Sequence, residues 1–129
     1  MNYFIKTFKN NELDQLVNLT NLDEPIDYGC TFIVAKNEDI AGVAGVNLVK
    51  EVYPRFEHIV IAPKYQKSKL GASLMLRMEN WLRSMGYYTY VSFIYHGKVL
   101  MHYYARKWGM KAYLQRPKGI WYFKTISGG

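Results

Sequence analysis

The residues with the clearest chemical potential lie between an apolar strand and a long amphipathic helix. Lys64, Lys67 and Lys69 stand in a loop of small and polar residues, directly before the predicted helix. Backbone N–H groups at a helix N-terminus carry a partial positive charge and bind anions. The lysines add full positive charges to the same place. The segment from Phe56 to Gly86 therefore predicts a cradle for a phosphorylated ligand.

The composition indicates a single domain. The chain has 129 residues, half of them hydrophobic, which is enough for one core and too few for two. We expect one domain over residues 1–126 and a flexible tail over residues 127–129. The net charge of +7 attracts polyanions, although charge alone does not choose among nucleotides, nucleic acids and acidic proteins. The single cysteine, Cys30, suits a reducing compartment and is expected to be a buried small hydrophobe.

Several classes of protein are disfavoured. No segment approaches the roughly 20 apolar residues of a membrane span, and the first residues lack the apolar region of a signal peptide, so we expect a cytoplasmic protein without membrane contact. Nucleic acid is not an expected partner, because the basic residues form no dense run and most of the 12 tyrosines fall in predicted core segments. His58, His96 and His102 lack the spacing of a zinc site, and no metal is expected. Neither a G-x-S-x-G nor a G-x-x-x-x-G-K-[ST] motif occurs.

Hydrophobic periodicity predicts an alternation of strands and helices. Two-residue alternation and β-branched or aromatic content mark the strands, and apolar residues at helical spacing mark the helices. The loop thus lies between a strand and the longest helix. The predicted strands are 3–8, 31–35, 40–51, 56–61, 88–95, 111–114 and 120–125, and the predicted helices are 11–19, 70–85 and 99–107.

This order of elements, with the sequence QKSKLGA before the longest helix, resembles the GNAT superfamily of N-acetyltransferases over nearly the whole chain. The acetyl-CoA motif of that family is Q/R-x-x-G-x-G/A after a strand and often a proline. Pro63 stands at the proline position, Gln66 at the first motif position and Gly71 at the last, followed by Ala72. The segment HYYARKWGM, which ends at Met110, matches the family's second conserved region in part.

Three positions depart from the family pattern. Lys69 replaces the first motif glycine, which lets the backbone approach a pyrophosphate closely. The lysine either weakens cofactor binding or compensates by contacting a phosphate. The usual tyrosine position falls on Ala105, one residue after Tyr104, and no asparagine stands between Tyr95 and Ala105.

The resemblance implies a fold and a cofactor. The fold is α+β, a three-layer α/β/α arrangement whose mixed, mostly antiparallel and splayed sheet has six to seven strands with helices on both faces. The cosubstrate is acetyl-CoA. Its pyrophosphate would bind the loop and its pantetheine arm would pair with the strand before it, so the implied cofactor-binding residues are Ile59, Val60, Ile61, Gln66, Lys67, Ser68, Lys69, Leu70, Gly71 and Ala72.

The resemblance also implies direct acetyl transfer to a primary amine, with a general base and a general acid. Glu57 is the candidate base, and by strict alternation it shares a strand face with Ile59. A solvated carboxylate is the other interpretation. His58 would face the opposite side unless a bulge intervenes, and it is expected to be an ordinary core or surface histidine. Tyr104 is the candidate acid, with Tyr103 as the alternative.

Two functions follow from this resemblance. The first is an acetyl-CoA-dependent N-acetyltransferase that acts on a small molecule or a protein, in a chain that is a monomer or homodimer. The second is a weakly active or inactive CoA-binding or protein-interaction module with the same fold. If the acceptor is a protein, the positive charge favours an acidic target surface.

Overall fold

The computed structural model describes residues 1–9, 12–20, 25–48 and 52–127. Within these ranges the chain forms seven strands, three α-helices and one short 3-10 turn. In chain order the elements are β1 (Asn2–Thr7), α1 (Asp14–Thr20), β2 (Thr31–Lys36), β3 (Ile40–Asn47), β4 (Arg55–Ile61), the 3-10 turn (Pro63–Tyr65), α2 (Leu70–Ser84), β5 (Thr89–Tyr95), α3 (Val99–Lys107), β6 (Lys111–Arg116) and β7 (Gly119–Thr125).

The strands form one mixed sheet in the order β1-β2-β3-β4-β5-β7-β6. Every neighbouring pair is antiparallel except β4 and β5, which are parallel. These two strands share a single register pair, Arg55 with Val91. The Val91 N–H donates to the Pro54 carbonyl (2.9 Å), and the Ser92 hydroxyl donates to the Phe56 carbonyl (3.0 Å). The sheet is therefore splayed from the middle of β4 onwards.

The helices lie on both faces of the sheet, and each face has its own core. The larger core contains buried side chains of α2, among them Leu74, Met78 and Leu82, together with Tyr90 and Tyr122 from the sheet. The smaller core packs α1 against β2, β3 and β4. The α2 stripe repeats every four residues, which is why one face of the helix is apolar. This arrangement confirms the predicted fold class.

The predicted elements agree with the structure in type and order. Gly86, the predicted stop of the long helix, has a φ of 87°, a left-handed conformation that favours glycine. The strand predicted to continue to Glu51 ends at Asn47, and residues 49–51 lie outside the described ranges. In the predicted tail, the Ser127 carbonyl accepts a hydrogen bond from Arg83 Nε (2.7 Å), and residues 128–129 are not described. No described helix is long and apolar enough to cross a membrane.

Candidate active site

A β-bulge at Glu57 changes the face on which its side chain lies. His58 pairs with Gly45 and Phe56 pairs with Val46, so Glu57 is the extra residue of β4. Phe56 and Ile59 consequently pack in the same core although they are three residues apart. The prediction that Glu57 shares a face with Ile59 is wrong, because a bulge breaks the two-residue alternation of a strand.

The Glu57 carboxylate forms an ion pair with Arg55. Arg55 Nε and Glu57 Oε1 are 2.7 Å apart, and both side chains are mostly buried, 25% and 16% exposed. The Arg55 guanidinium lies 4.9 Å from the centre of the Trp121 ring. Arg55 was not among the predicted site residues, although opposite charges two residues apart on a strand are a signal for such a pair.

His58 is hydrogen-bonded on the α1 side of the sheet, as predicted for an ordinary histidine. Its Nε2 accepts a bond from the Asp27 backbone N–H (2.9 Å), so Nδ1 holds the proton of the neutral ring. The Asp27 carboxylate accepts bonds from the Gly29 N–H (2.9 Å) and from Asn47 Nδ2 (3.1 Å). These contacts attach the segment before β2 to β3 and β4, and they give His58 a structural role.

The loop between β4 and α2 is held by two of its own polar side chains. Gln66 Nε2 donates to the carbonyl of Ile61, the last residue of β4 (3.2 Å). Ser68 Oγ donates to the Tyr65 carbonyl (2.5 Å) and accepts from the Leu70 N–H (3.2 Å). Local side-chain bonds of this kind fix a loop conformation without a glycine.

Lys69 immediately precedes α2 and has an ordinary backbone conformation. Its φ of −85° and ψ of 12° are accessible to any residue, so a side chain at this position causes no backbone strain. No side chain caps the helix at Lys69. The N–H groups of the first helical turn have no acceptor within the helix, and those of Gly71 and Ala72 belong to this set. Lys67 and Lys69 are exposed beside them.

Gly71 lies beside β4 on the first turn of α2. A Cβ added to Gly71 would approach a single atom within 4 Å, Ile59 Cδ1 at 3.9 Å. Packing within the protein therefore does not require glycine here. The start of α2 and the splayed part of β4 lie side by side, at the place where the sequence predicts a phosphorylated ligand.

The sequence matches the acetyltransferase (GNAT) family over residues 2–110. The chain belongs to the GNAT family of acetyltransferases. Acetyl-CoA is the cosubstrate of this family. A comparison with curated protein sequences gives no match.

Solved GNAT structures have the same fold at low sequence identity. An acetyltransferase described as a GNAT member from Desulfovibrio desulfuricans has a TM-score of 0.80 and 16% identity, covering 98% of this chain and 99% of that one. The PaiA N-acetyltransferase of Thermoplasma acidophilum, in complex with coenzyme A, has a TM-score of 0.74 and 12% identity, covering 98% and 100%. A GNAT acetyltransferase of Elizabethkingia anophelis with acetyl-CoA bound has a TM-score of 0.68 and 15% identity, covering 97% and 99%.

The remaining predicted cofactor-binding residues of this GNAT chain differ in whether their side chains or only their main chains are accessible to a ligand. The side chains of Val60 and Leu70 are buried, 3% and 6% exposed, so only their main chains are available to a ligand. Ile59 and Ile61 are half-buried against the larger core. Ala72 is exposed on the first turn of α2. Backbone amides at a helix N-terminus and exposed lysines are groups that bind phosphates in proteins, and both are present here.

Tyr104, the predicted acid, is not in the core. Its side chain is 55% exposed, and its ring packs edge-on against Tyr103 at 5.4 Å. Ala105 is the buried residue of α3 and packs in the larger core. At the position where GNAT members usually have a tyrosine, this chain places the methyl group of Ala105 in the core. The side chains of Tyr103 and Tyr104 are exposed.

A pair of titratable residues lies beneath α3, and the sequence pattern gave no sign of it. His102 Nε2 donates to the Tyr95 carbonyl (2.9 Å), so its Nδ1 accepts from the Tyr122 hydroxyl (2.7 Å). Tyr122 is fully buried. His102 and Tyr122 lie in different elements and share no sequence motif. They meet only because the folded sheet places β7 beneath α3.

A cleft of about 870 Å³ lies beside the β2–β3 turn, next to the start of the loop. Asn37, Glu38 and Asp39 line it together with Lys64 and Tyr65. Two carboxylates disfavour an anionic ligand, so this cleft does not extend the phosphate site. Within the described ranges no group of three or more metal-ligating side chains occurs.

Proposed function

We propose that this GNAT chain is an acetyl-CoA-dependent N-acetyltransferase that acts on a primary amine. The observation that carries the proposal is the position of the first turn of α2 against the splayed part of β4, where a Cβ added to Gly71 would come within 3.9 Å of Ile59 Cδ1. A bound acyl-CoA supplies the activated acetyl group. The similarity of this fold to the Thermoplasma PaiA N-acetyltransferase, whose structure contains coenzyme A, supports an amine as the acceptor.

In this proposal the loop and the first turn of α2 bind the phosphates. Backbone N–H groups of Gly71 and Ala72 donate to the pyrophosphate, and the exposed ammonium groups of Lys67 and Lys69 neutralise phosphate charge. Gln66 holds the loop to the end of β4 through its bond to the Ile61 carbonyl. From Ile59 onwards the edge of β4 that faces away from β3 is proposed to pair with an extended ligand, because β5 diverges from β4 there and Gln66 occupies only the Ile61 carbonyl.

Glu57 takes the proton of the attacking amine, because only the uncharged amine is a nucleophile. The Arg55 guanidinium orients the carboxylate through the 2.7 Å contact with Glu57 Oε1. Tyr104 remains the proposed proton donor to the leaving sulfur. Its exposed position favours a donor that acts at the entrance of the site.

The test compares Gly71→Val with Leu76→Val, an exposed position of the same helix. Both variants add a β-branched residue to α2, but only valine at position 71 projects into the space beside Ile59. We expect both variants to fold, because a Cβ at position 71 approaches only Ile59 Cδ1, at 3.9 Å, and Leu76 is exposed; thermal unfolding of both checks this. Isothermal titration should show that only Gly71→Val loses at least ~10-fold in affinity for CoA.

A thiol-release assay with acetyl-CoA and a panel of primary amines then tests turnover. Release that depends on the amine supports the enzyme. CoA binding without amine-dependent release would instead identify the inactive binding module. Equal CoA affinity in the Gly71→Val and Leu76→Val variants would contradict the assignment of the site itself.

A further inference from the structure

Three aromatic side chains form a row on one face of β5 and β7. Phe93 packs against Trp121 with ring centres 5.1 Å apart, and against Tyr95 at 5.2 Å. Register pairing places Phe93 directly opposite Trp121. We refer to Phe93, Tyr95 and Trp121 as the aromatic row.

The aromatic row is continuous with the proposed catalytic carboxylate. The Arg55 guanidinium lies 4.9 Å from the centre of the Trp121 ring, and Arg55 Nε is 2.7 Å from Glu57 Oε1. Glu57, Arg55, Trp121, Phe93 and Tyr95 therefore follow one another without a gap. Arg55 and Glu57 share a face by ordinary alternation, and the bulge puts that face opposite to the one on which Ile59 lies.

The core on this face does not include the aromatic row. The buried cluster on the α1 side is built from α1, β2, β3, β4 and the segments beside them, and in the described ranges it takes no member from β5 or β7. Phe93 and Trp121 are half-buried, and Tyr95 is 46% exposed. The row thus presents ring surface beside the polar pair.

The positive charge beside the aromatic row disfavours acceptors that carry a second cationic group. Arg55 is a fixed cation between Glu57 and Trp121, and the chain carries a net charge of +7. A second positive charge on an acceptor would be repelled there. A flat aromatic group, in contrast, gains contact area and ring-to-ring packing on the row.

We infer that the acceptor is a primary monoamine whose carbon chain carries an aryl ring, with the ring on the aromatic row and the nitrogen at Glu57. This inference rests on the proposed function. In the transfer, the nitrogen lone pair forms the N–C bond to the acetyl carbon and the C–S bond breaks. The electron pair of that bond leaves with sulfur, Glu57 takes one amine proton, and a proton ends on the thiol.

The test compares 2-phenylethylamine with hexylamine, a monoamine without a ring, in the wild type and two tyrosine variants. Tyr95→Leu removes the exposed end of the row but keeps the backbone carbonyl that accepts from His102. Tyr88→Leu is the matched control, since Tyr88 is similarly exposed (47%) and precedes β5.

We expect the wild type to prefer 2-phenylethylamine by ~10-fold in kcat/KM, because ring burial is worth about that factor. Tyr95→Leu should lower the value for 2-phenylethylamine ~5-fold, a larger loss than for hexylamine, and leave the affinity for CoA unchanged. Equal kcat/KM values for the two amines in the wild type, or equal effects of the two substitutions, would overturn the inference.

A binding measurement separates this inference from the proposed function. Tryptophan fluorescence of the CoA-saturated protein should change on addition of 2-phenylethylamine, and the change should be lost in Trp121→Phe. A change that depends on Trp121 without any turnover would remove the N-acetyltransferase proposal and keep the aryl site. Acetylation of hexylamine, spermidine or an acidic peptide with no preference for the aryl amine would keep the enzyme and reject the aryl site.

Discussion

The extra residue in β4 determines on which face of the sheet the Glu57 carboxylate lies. Strict alternation would have pointed its carboxylate to the same side as Ile59, into the face covered by α2. The extra residue in β4 instead separates Glu57 from Ile59, so Glu57 lies with Arg55, 2.7 Å away, on the α1 face. A mostly buried carboxylate whose orientation is fixed by a neighbouring guanidinium is better positioned to act on a bound amine than a mobile, solvated strand residue.

Glu57→Gln should lower kcat for the preferred amine at least ~100-fold near pH 7, because glutamine keeps the shape of glutamate and cannot accept a proton. The Kd for CoA should change less than ~2-fold, since Glu57 is not in the loop. Steady-state kinetics and calorimetry measure both quantities. Glu38→Gln, at an exposed carboxylate in the β2–β3 turn, is the control, and a kcat of Glu57→Gln within about 2-fold of the wild type would exclude Glu57 as the base.

Lys69 is the residue at which this chain departs most from the GNAT motif. Its negative φ shows that the loop tolerates a side chain there, so the open question is the effect of its charge. We predict that Lys69→Gln raises the Kd for CoA ~3- to 10-fold, the cost of one charge-assisted hydrogen bond to a phosphate.

The same titrations with dephospho-CoA locate the contact of Lys69. If Lys69 binds the 3′-phosphate, its substitution should have no effect on dephospho-CoA; if it binds the pyrophosphate, the loss should be equal for both ligands. Lys36→Gln, at the exposed end of β2, is the control for net charge. Tighter binding by Lys69→Gln than by the wild type would identify the lysine as a handicap.

The pairing of β5 with β7 depends on a glycine that no turn motif reveals. A Cβ at Gly119 would lie 2.4 Å from the Ile94 carbonyl oxygen and 2.7 Å from Phe93 Cζ. Gly97, in the connection after β5, has no atom within 4 Å of its added Cβ. Gly119 is therefore required by the close approach of β5 and β7, whereas Gly97 is an ordinary loop glycine.

Gly119→Ala should lower the free energy of unfolding by about 2–3 kcal/mol, because the strands must move apart to admit the methyl group. Gly97→Ala should change it by less than about 1 kcal/mol, in the stabilising direction if the loop conformation suits alanine. Urea denaturation measures both. Similar stabilities for the two variants would show that β5 and β7 adjust without cost.

The helix α3 is held at a few points rather than by a broad apolar face. Of its nine residues, Ala105 alone is buried, and Val99, Leu100 and Tyr103 are more than half exposed. A helix of this length is not stable in isolation. His102 anchors it to Tyr122 and to the Tyr95 carbonyl, and Trp108, just after the helix, donates to Glu79 on α2.

At the scale of the whole molecule, one buried carboxylate oxygen joins four parts of the chain. Glu79 Oε2 accepts from the Tyr90 hydroxyl (2.7 Å), Trp108 Nε1 (2.8 Å) and Lys124 Nζ (2.8 Å). Glu79 is 3% exposed. Desolvation by burial, together with the adjacent carboxylate of Glu79, raises the pKa of the Tyr90 phenol far above its usual value.

The raised pKa of Tyr90 predicts a loss of stability at alkaline pH. The phenol keeps its proton in the folded state, whereas in the unfolded chain it ionises near pH 10, so its contribution is complete below about pH 10 and is lost as the pH rises above that value. Above about pH 10 this group should lower the free energy of unfolding by up to ~1.4 kcal/mol per pH unit. Urea denaturation between about pH 8 and pH 11 should show a shallower decline for Tyr90→Phe, and an unchanged decline for Tyr88→Phe.

Local sequence patterns were enough to predict the order of elements and the position of the loop before α2, and the family resemblance carried by that order and by QKSKLGA implied the fold class. These features depend on the period of apolar residues and on the small and basic residues between β4 and α2. The bulge at Glu57, the pair of His102 with Tyr122 and the approach of Arg55 to Trp121 became visible only in the folded chain. Each depends on register or contact between segments distant in the chain, and an extra residue in β4 is recognisable only against its partner β3.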